Sequence, residues 1–106
     1  MTDFISIYCT YPNEDEAGRI SHALIEARLV ACANIMPGGR SMHWWDGAIQ
    51  DEPEVYVLYK TRKALFTAVQ EKITALHPYK VPCIVSRGID ELNEAYAAWL
   101  EKETLA

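Results

Sequence analysis

Residues 44–49 read Trp44-Trp45-Asp46-Gly47-Ala48-Ile49, and they lie at the middle of a largely apolar stretch from Val30 to Thr61. Asp-Gly between apolar flanks is a strong signal for a two-residue hairpin turn, because a type I′ turn needs φ > 0 at both central positions. Pairing outward from the turn puts Trp45 opposite Ala48, Trp44 opposite Ile49 and Met42 opposite Asp51, with the two tryptophans on opposite faces. The same register brings Pro37-Gly38-Gly39 against Glu54, Val55 and Tyr56, with Pro53 beside them. Breakers on both strands at one level predict a bend that divides the hairpin into a base and an arm. Isolated two-stranded ribbons are marginal in water, and an arm with a tryptophan on each face cannot bury both against its own chain. The arm is therefore expected to be covered by another subunit.

Working outward, Phe4 to Thr10 alternates Ile5, Ile7 and Cys9 with Phe4, Ser6 and Tyr8, the pattern of a strand that Tyr11-Pro12 should end. Asn13 followed by Glu16 reads as an N-cap with its capping-box partner, opening a helix to about Leu29 with the apolar stripe Ala17, Ile20, Leu24 and Ala27. His22 falls near its solvent side. Val30 to Met36 reads as a strand buried on both faces, with Asn34 the one polar side chain needing partners. After the hairpin, Leu65, Ala68 or Val69, Ile73 and Leu76 mark a second helix, with Thr61 as a possible N-cap, stopping before His77-Pro78. Val81 to Ser86 reads as a fourth strand with Pro82 at its entry, and Asp90 or Asn93 opens a last helix carrying Leu92, Ala95, Tyr96, Trp99 and Leu100. The order β-α-β-β-α-β plus a C-terminal helix predicts an α+β ferredoxin-like sandwich with an antiparallel sheet and a long β2-β3 hairpin.

The chain has 106 residues, half of them hydrophobic, which suits a single domain over residues 1–106. Its 15 acidic against 10 basic residues give a net charge of −5, and no basic stripe suits phosphates, so no nucleic-acid partner is expected. No apolar run is long enough to span a membrane, and Met1-Thr2-Asp3-Phe4 does not read as a signal segment, so a soluble intracellular protein is expected. Three cysteines, Cys9, Cys32 and Cys83, are an odd number on three predicted strands and are expected to be reduced thiols.

Taken together, Ala31-Cys32-Ala33-Asn34-Ile35-Met36-Pro37-Gly38, Trp45-Asp46-Gly47 with Ile49, Lys60-Thr61, and His77-Pro78-Tyr79 followed by Val81-Pro82 resemble the CutA family of divalent-cation tolerance proteins over essentially the whole chain. The resemblance implies a cytoplasmic ferredoxin-like homotrimer built through the hairpin arms, linked to tolerance of divalent cations and to copper binding. In its copper-binding members the strand-1 cysteine and the histidine before Pro-Tyr are implicated, matching Cys9 and His77 as metal ligands here. A second histidine immediately before it is replaced by Leu76. Cys83 stands where the family usually has a glutamate after Val-Pro, and Lys80 where an acid or amide is common.

The residues themselves admit the same pair. Thiolate and imidazole are the softer protein ligands and suit copper or zinc rather than magnesium or calcium. Strand 1 is central in this topology and helix ends lie over strand ends, which brings Cys9 toward His77. The plainer alternatives are a small core residue for Cys9 and a helix C-terminal cap for His77. Cys32 and Trp99 read as core, Cys83 as a space-filler or, alternatively, an added soft ligand, Asp46 and Gly47 as turn residues. Tyr79, Lys60 and Trp99 also suit the wall of an intersubunit pocket. Three functions remain on this basis: a trimeric metal-binding or metal-response protein, a trimeric small-molecule sensor with a ligand in an intersubunit cleft, and an enzyme. The enzyme ranks last, since Cys9 as nucleophile with His77 as base has no third orienting group.

Overall fold

The computed structural model describes residues 3–106; Met1 and Thr2, on which the reading of the chain's start rests in part, lie outside the described residues. The elements run β1 (Phe4–Tyr11), α1 (Glu14–Glu26), β2 (Cys32–Trp45), β3 (Ala48–Arg62), α2 (Phe66–Leu76), β4 (Ile84–Gly88) and α3 (Glu94–Glu103), with a short 3-10 turn, Lys63–Leu65, leading into α2. The sheet order is β2-β3-β1-β4 with every neighbouring pair antiparallel, the ferredoxin-like α+β sandwich with its long hairpin. Ile20 and Leu24 of α1 and Val69 and Ile73 of α2 pack on Ile7, Cys9, Val57 and Tyr59, so both helices cover one face of the sheet. α3 reaches only one end of the other face, where the Lys60 ammonium lies 5.8 Å from the Tyr96 ring centre and the Arg62 guanidinium donates to the Thr104 hydroxyl at 2.9 Å.

Asn13 caps α1 as its sequence suggests, its side-chain oxygen accepting from the Glu16 N–H at 2.9 Å; the Glu16 carboxylate turns to Arg19 instead of completing a capping box. The helix stops at Glu26, short of Leu29, because Arg28 adopts a left-handed φ of 59° and the chain closes with the Leu29 N–H on the Leu24 carbonyl. That paired closure is the Schellman ending, here without the usual glycine.

The hairpin register from the turn to Gly39 opposite Glu54 is the one counted from Asp46-Gly47. Below it the register shifts: Met36 pairs with Tyr56, so Pro37 and Gly38 together oppose Val55 as a β-bulge. Gly38 carries the φ of +84° that such a bulge needs, and at Gly39 an added Cβ would come within 2.5 Å of the Tyr56 ring. The Tyr56 hydroxyl then closes over the bulge, accepting from the Arg40 N–H at 3.1 Å and donating to the Arg40 carbonyl at 3.0 Å.

Other elements depart from the sequence reading for identifiable reasons. β1 continues through Tyr11, whose buried hydroxyl meets that of Tyr59 at 2.5 Å, a long-range bond that no local signal carries. Thr61 is not a helix cap; it stays in β3 and donates to the Leu29 carbonyl at 2.6 Å. β4 starts at Ile84 opposite Cys9, because Pro82 has no N–H to give a ladder. Leu92 precedes α3, and within that helix Leu100 is buried while Trp99 remains 41% exposed beside Tyr96. Residues 32–36 are not buried on both faces within one chain: β2 is an edge strand, and Ile35 and Met36 are exposed. Asn34 finds its partner in Lys60, which donates to its side-chain oxygen at 2.9 Å.

Candidate functional site

His77 closes α2. A residue before proline is pushed out of the helical region, and His77 sits at φ −71°, ψ 137°, which swings its ring over the end of β1. There Nε2 is 2.7 Å from the Thr10 carbonyl and Nδ1 is 3.0 Å from the Tyr79 N–H. A carbonyl only accepts and an N–H only donates, so the partners fix the neutral tautomer protonated at Nε2. The ring is stacked on Tyr11, with centroids 4.8 Å apart, and tilted against Tyr79 at 4.7 Å. Burial holds its pKa below the ordinary histidine value, so the neutral form is reinforced.

Cys9 is fully buried in the sheet, its Sγ 3.8 Å from the same Thr10 carbonyl. Cys9 and His77 therefore converge on one backbone oxygen, as the topology predicts. Burial pushes the Cys9 thiol up to about 11, and both ring nitrogens of His77 are engaged. As folded, the pair supplies two soft donors that are both spoken for. Among the described residues no group of three or more His, Cys, Asp or Glu side chains is placed to hold a metal ion. Leu76 and His22 add nothing to it: Leu76 packs against the core, and His22 lies on the surface beside Glu26.

A larger feature lies next to this pair. The loop after His77 and one face of the arm enclose a cleft of about 860 Å³. Because side chains alternate along a strand, the arm contributes Ser41, His43 and Trp45 from β2 and their partners Glu52, Gln50 and Ala48 from β3; the loop contributes Tyr79, Lys80, Val81 and Cys83. At its floor is Glu54, 8% exposed, whose Oε2 accepts from the Tyr79 hydroxyl at 2.8 Å. Burial and the nearby carboxylate push the Tyr79 phenol up, keeping it a donor. Cys83 is exposed here, with burial of its surroundings and Glu54 raising its thiol pKa, so it is a protonated wall residue rather than a reactive one.

Lys60 and Trp99 do not join Tyr79 in this cleft; Lys60 is turned to Asn34 and Tyr96 on the far side of the sheet. Cys32 is only partly buried, with its Sγ 3.4 Å from the Tyr96 hydroxyl. Glu54, and the buried hydroxyl chain Ser21-Tyr59-Tyr11, are the residues sequence reading passed over. For Glu54 a signal existed: it is the acid at the level of the bend, next to Pro53.

The fold and its arm define a ferredoxin-like protein whose hairpin extends well beyond its own core. A family model described as CutA1 divalent ion tolerance protein matches residues 5–103. The chain is 40% identical over 100 residues to the divalent-cation tolerance protein CutA of Pyrococcus horikoshii, covering 94% of this chain and 97% of the relative. A crystal structure of CutA1 from Oryza sativa superposes with a TM-score of 0.95 at 36% identity, covering 97% of this chain and 94% of that one. A structure titled periplasmic divalent cation tolerance protein CutA, from Archaeoglobus fulgidus, superposes at 0.90 with 36% identity, covering 97% and 98%. The chain belongs to the CutA1 divalent ion tolerance family.

Proposed function

We propose that this protein acts in divalent-cation tolerance as a cytoplasmic homotrimer joined through its hairpin arms, binding copper at Cys9 and His77. The observation that carries the assembly is the arm's outer face, where Met42, Trp44 and Ile49 are left 64%, 72% and 61% exposed by the described residues. The part of the sheet's open face beyond α3 adds the paired Tyr8 and Leu58, both half-buried, and Val85, 50% exposed. Apolar patches of this kind mark association surfaces, and each copy offers the same surface to the next.

For copper, support comes from the softness of the two donors and their shared position at the Thr10 carbonyl. Binding requires Cys9 to lose its proton and His77 to exchange its Thr10 bond for the metal, so uptake is slow and favoured at higher pH. Among the described residues no third His, Cys, Asp or Glu side chain is placed to complete the coordination. No catalytic step is placed on the pair, since a thiol pushed up to about 11 is almost wholly protonated at neutral pH. Cytoplasmic residence agrees with three unbridged cysteines, and no helix among the described residues is long and apolar enough to cross a membrane.

Native mass spectrometry of untagged protein before and after Cu(II) and Zn(II), on wild type, Cys9→Ala and His77→Ala, tests the reading. A trimer gaining an integral number of metals per chain that both variants lose is the expected result. A trimer with unchanged uptake in the variants removes the metal site and keeps the assembly. The second reading, a trimeric small-molecule sensor, is favoured by the cleft under the arm, whose volume lies in the ordinary range for ligand sites. A thermal-shift screen across anions, nucleotides, amines and neutral metabolites that yields no stabiliser counts against it.

A further inference from the structure

Glu54 is the anomaly of the molecule. A carboxylate at 8% exposure loses most of its hydration, which is costly unless a cation or several hydrogen bonds replace the water. Among the described residues Glu54 joins none of the ion pairs, and its one side-chain hydrogen bond comes from Tyr79 to Oε2. Among the described residues no fully enclosed side-chain oxygen is left without a partner, so Oε1, which has none, is not sealed off, and Glu54 lines the cleft. The other charges around that cleft are Asp46 and Glu52 against Lys80, leaving it acidic. Trp45 and Tyr79 face the same space, and aromatic faces attract cations electrostatically. A hard metal ion would need a cage of oxygens, and no group of three ligand side chains is placed together among the described residues.

We propose that this cleft binds a small organic cation, an ammonium or guanidinium group on a short apolar body, with Glu54 as its charged anchor and Trp45 and Tyr79 as its aromatic walls. The proposal rests on the second reading above and gives that sensor a ligand class. Glu54 receives the N–H donors on Oε1 while Tyr79 holds Oε2, fixing the carboxylate plane before the ligand arrives. The apolar walls, Ala48, Pro78 and Val81, take the ligand's body.

The test is calorimetric titration of the full chain with agmatine, which carries both cationic groups, against n-butanol as an uncharged probe. Saturable agmatine binding at one per chain, weakened about tenfold or more in Glu54→Gln and several-fold in Trp45→Leu, is expected. In Glu54→Gln the Tyr79 hydroxyl still has an amide oxygen to donate to, and Trp45 lies outside the core of its own chain, 48% exposed, so both variants keep the chain's fold. Glu26→Gln, on the surface of α1, leaves binding unchanged. Agmatine binding no better than n-butanol, or equal in Glu54→Gln, overturns the proposal. So does a Glu54→Gln variant whose trimer falls apart at dilutions that wild type withstands, since the cation facing Glu54 is then a side chain of another copy. If a stabiliser of another class emerges while agmatine does nothing, the ligand class fails and the sensor reading survives; if no compound stabilises, both fail.

Discussion

One hairpin passes through two environments. Near the sheet, Ala33 faces Tyr59 and Ile35 faces Val57, and both β3 residues are fully enclosed by the helices. Beyond the bulge the same two strands pair just as regularly, Trp44 with Ile49, yet these side chains stand in solvent. Backbone pairing is therefore not what distinguishes base from arm; the difference lies in what covers the side chains. The base draws its stability from its own chain, while the outer face of the arm finds no such cover among the described residues, and under the proposed assembly that cover comes from another copy.

The sharpest way to press this contrast is to cut into the base. Leu24→Ala or Ile73→Ala, each removing a fully enclosed side chain, is expected to cost about 2–5 kcal/mol in denaturant unfolding, independent of protein concentration. Trp44→Ala should do the opposite: little change in the unfolding of a dissociated chain, but loss of trimer in sedimentation or native mass spectra, equivalent to about 2 kcal/mol or more if it is an interface anchor. A Trp44→Ala protein that assembles like wild type would break the comparison. At the junction, Gly39→Ala forces a Cβ into the Tyr56 ring and should cost about 1–3 kcal/mol while loosening the arm, visible as faster amide exchange from Arg40 to Pro53.

Proton linkage gives a smaller effect confined to the base. The folded state holds His77 below the ordinary value of 6.5, so as pH falls through that value the unfolded chain takes up the proton first. The unfolded state then binds more protons, and stability falls with decreasing pH between the ordinary value and the lower folded one. The urea midpoint should drop on going from about pH 7.5 to about pH 5, with His77→Gln flattening that slope. The smallest effect is expected at the exposed Arg40–Asp51 pair on the arm, where Arg40→Ala should leave thermal unfolding unchanged within error.

The sequence carries this contrast unevenly. Asp46-Gly47 is a local signal, so the pairing of the whole arm could be counted from it, and Trp44 and Trp45 on opposite faces announced a ribbon without cover. The extra residue at Pro37-Gly38 escapes such counting, because it depends on Gly38 turning to positive φ and on Tyr56 lying across Gly39. Cys9 and His77 were legible as neighbours because topology brings them together; their shared attachment to a backbone carbonyl was not, since carbonyls have no letter of their own. Glu54 was legible as the acid at the level of the bend, but its enclosure beside Tyr79, which sets it apart from Glu52, is a tertiary feature with no local signal.

The bulge also bears on solubility. β2 lies at the sheet's edge, and an uninterrupted 14-residue edge would expose a long row of free backbone donors and acceptors to any other strand. Pro37 removes one donor from that row, and Gly38 kinks the strand beside it, so the edge is cut into two short segments out of step with each other. Replacing the pair by regular strand residues would join them into a template for fibril-like stacking, and the kink that shapes the arm is also what guards the chain against its own copies in the wrong arrangement.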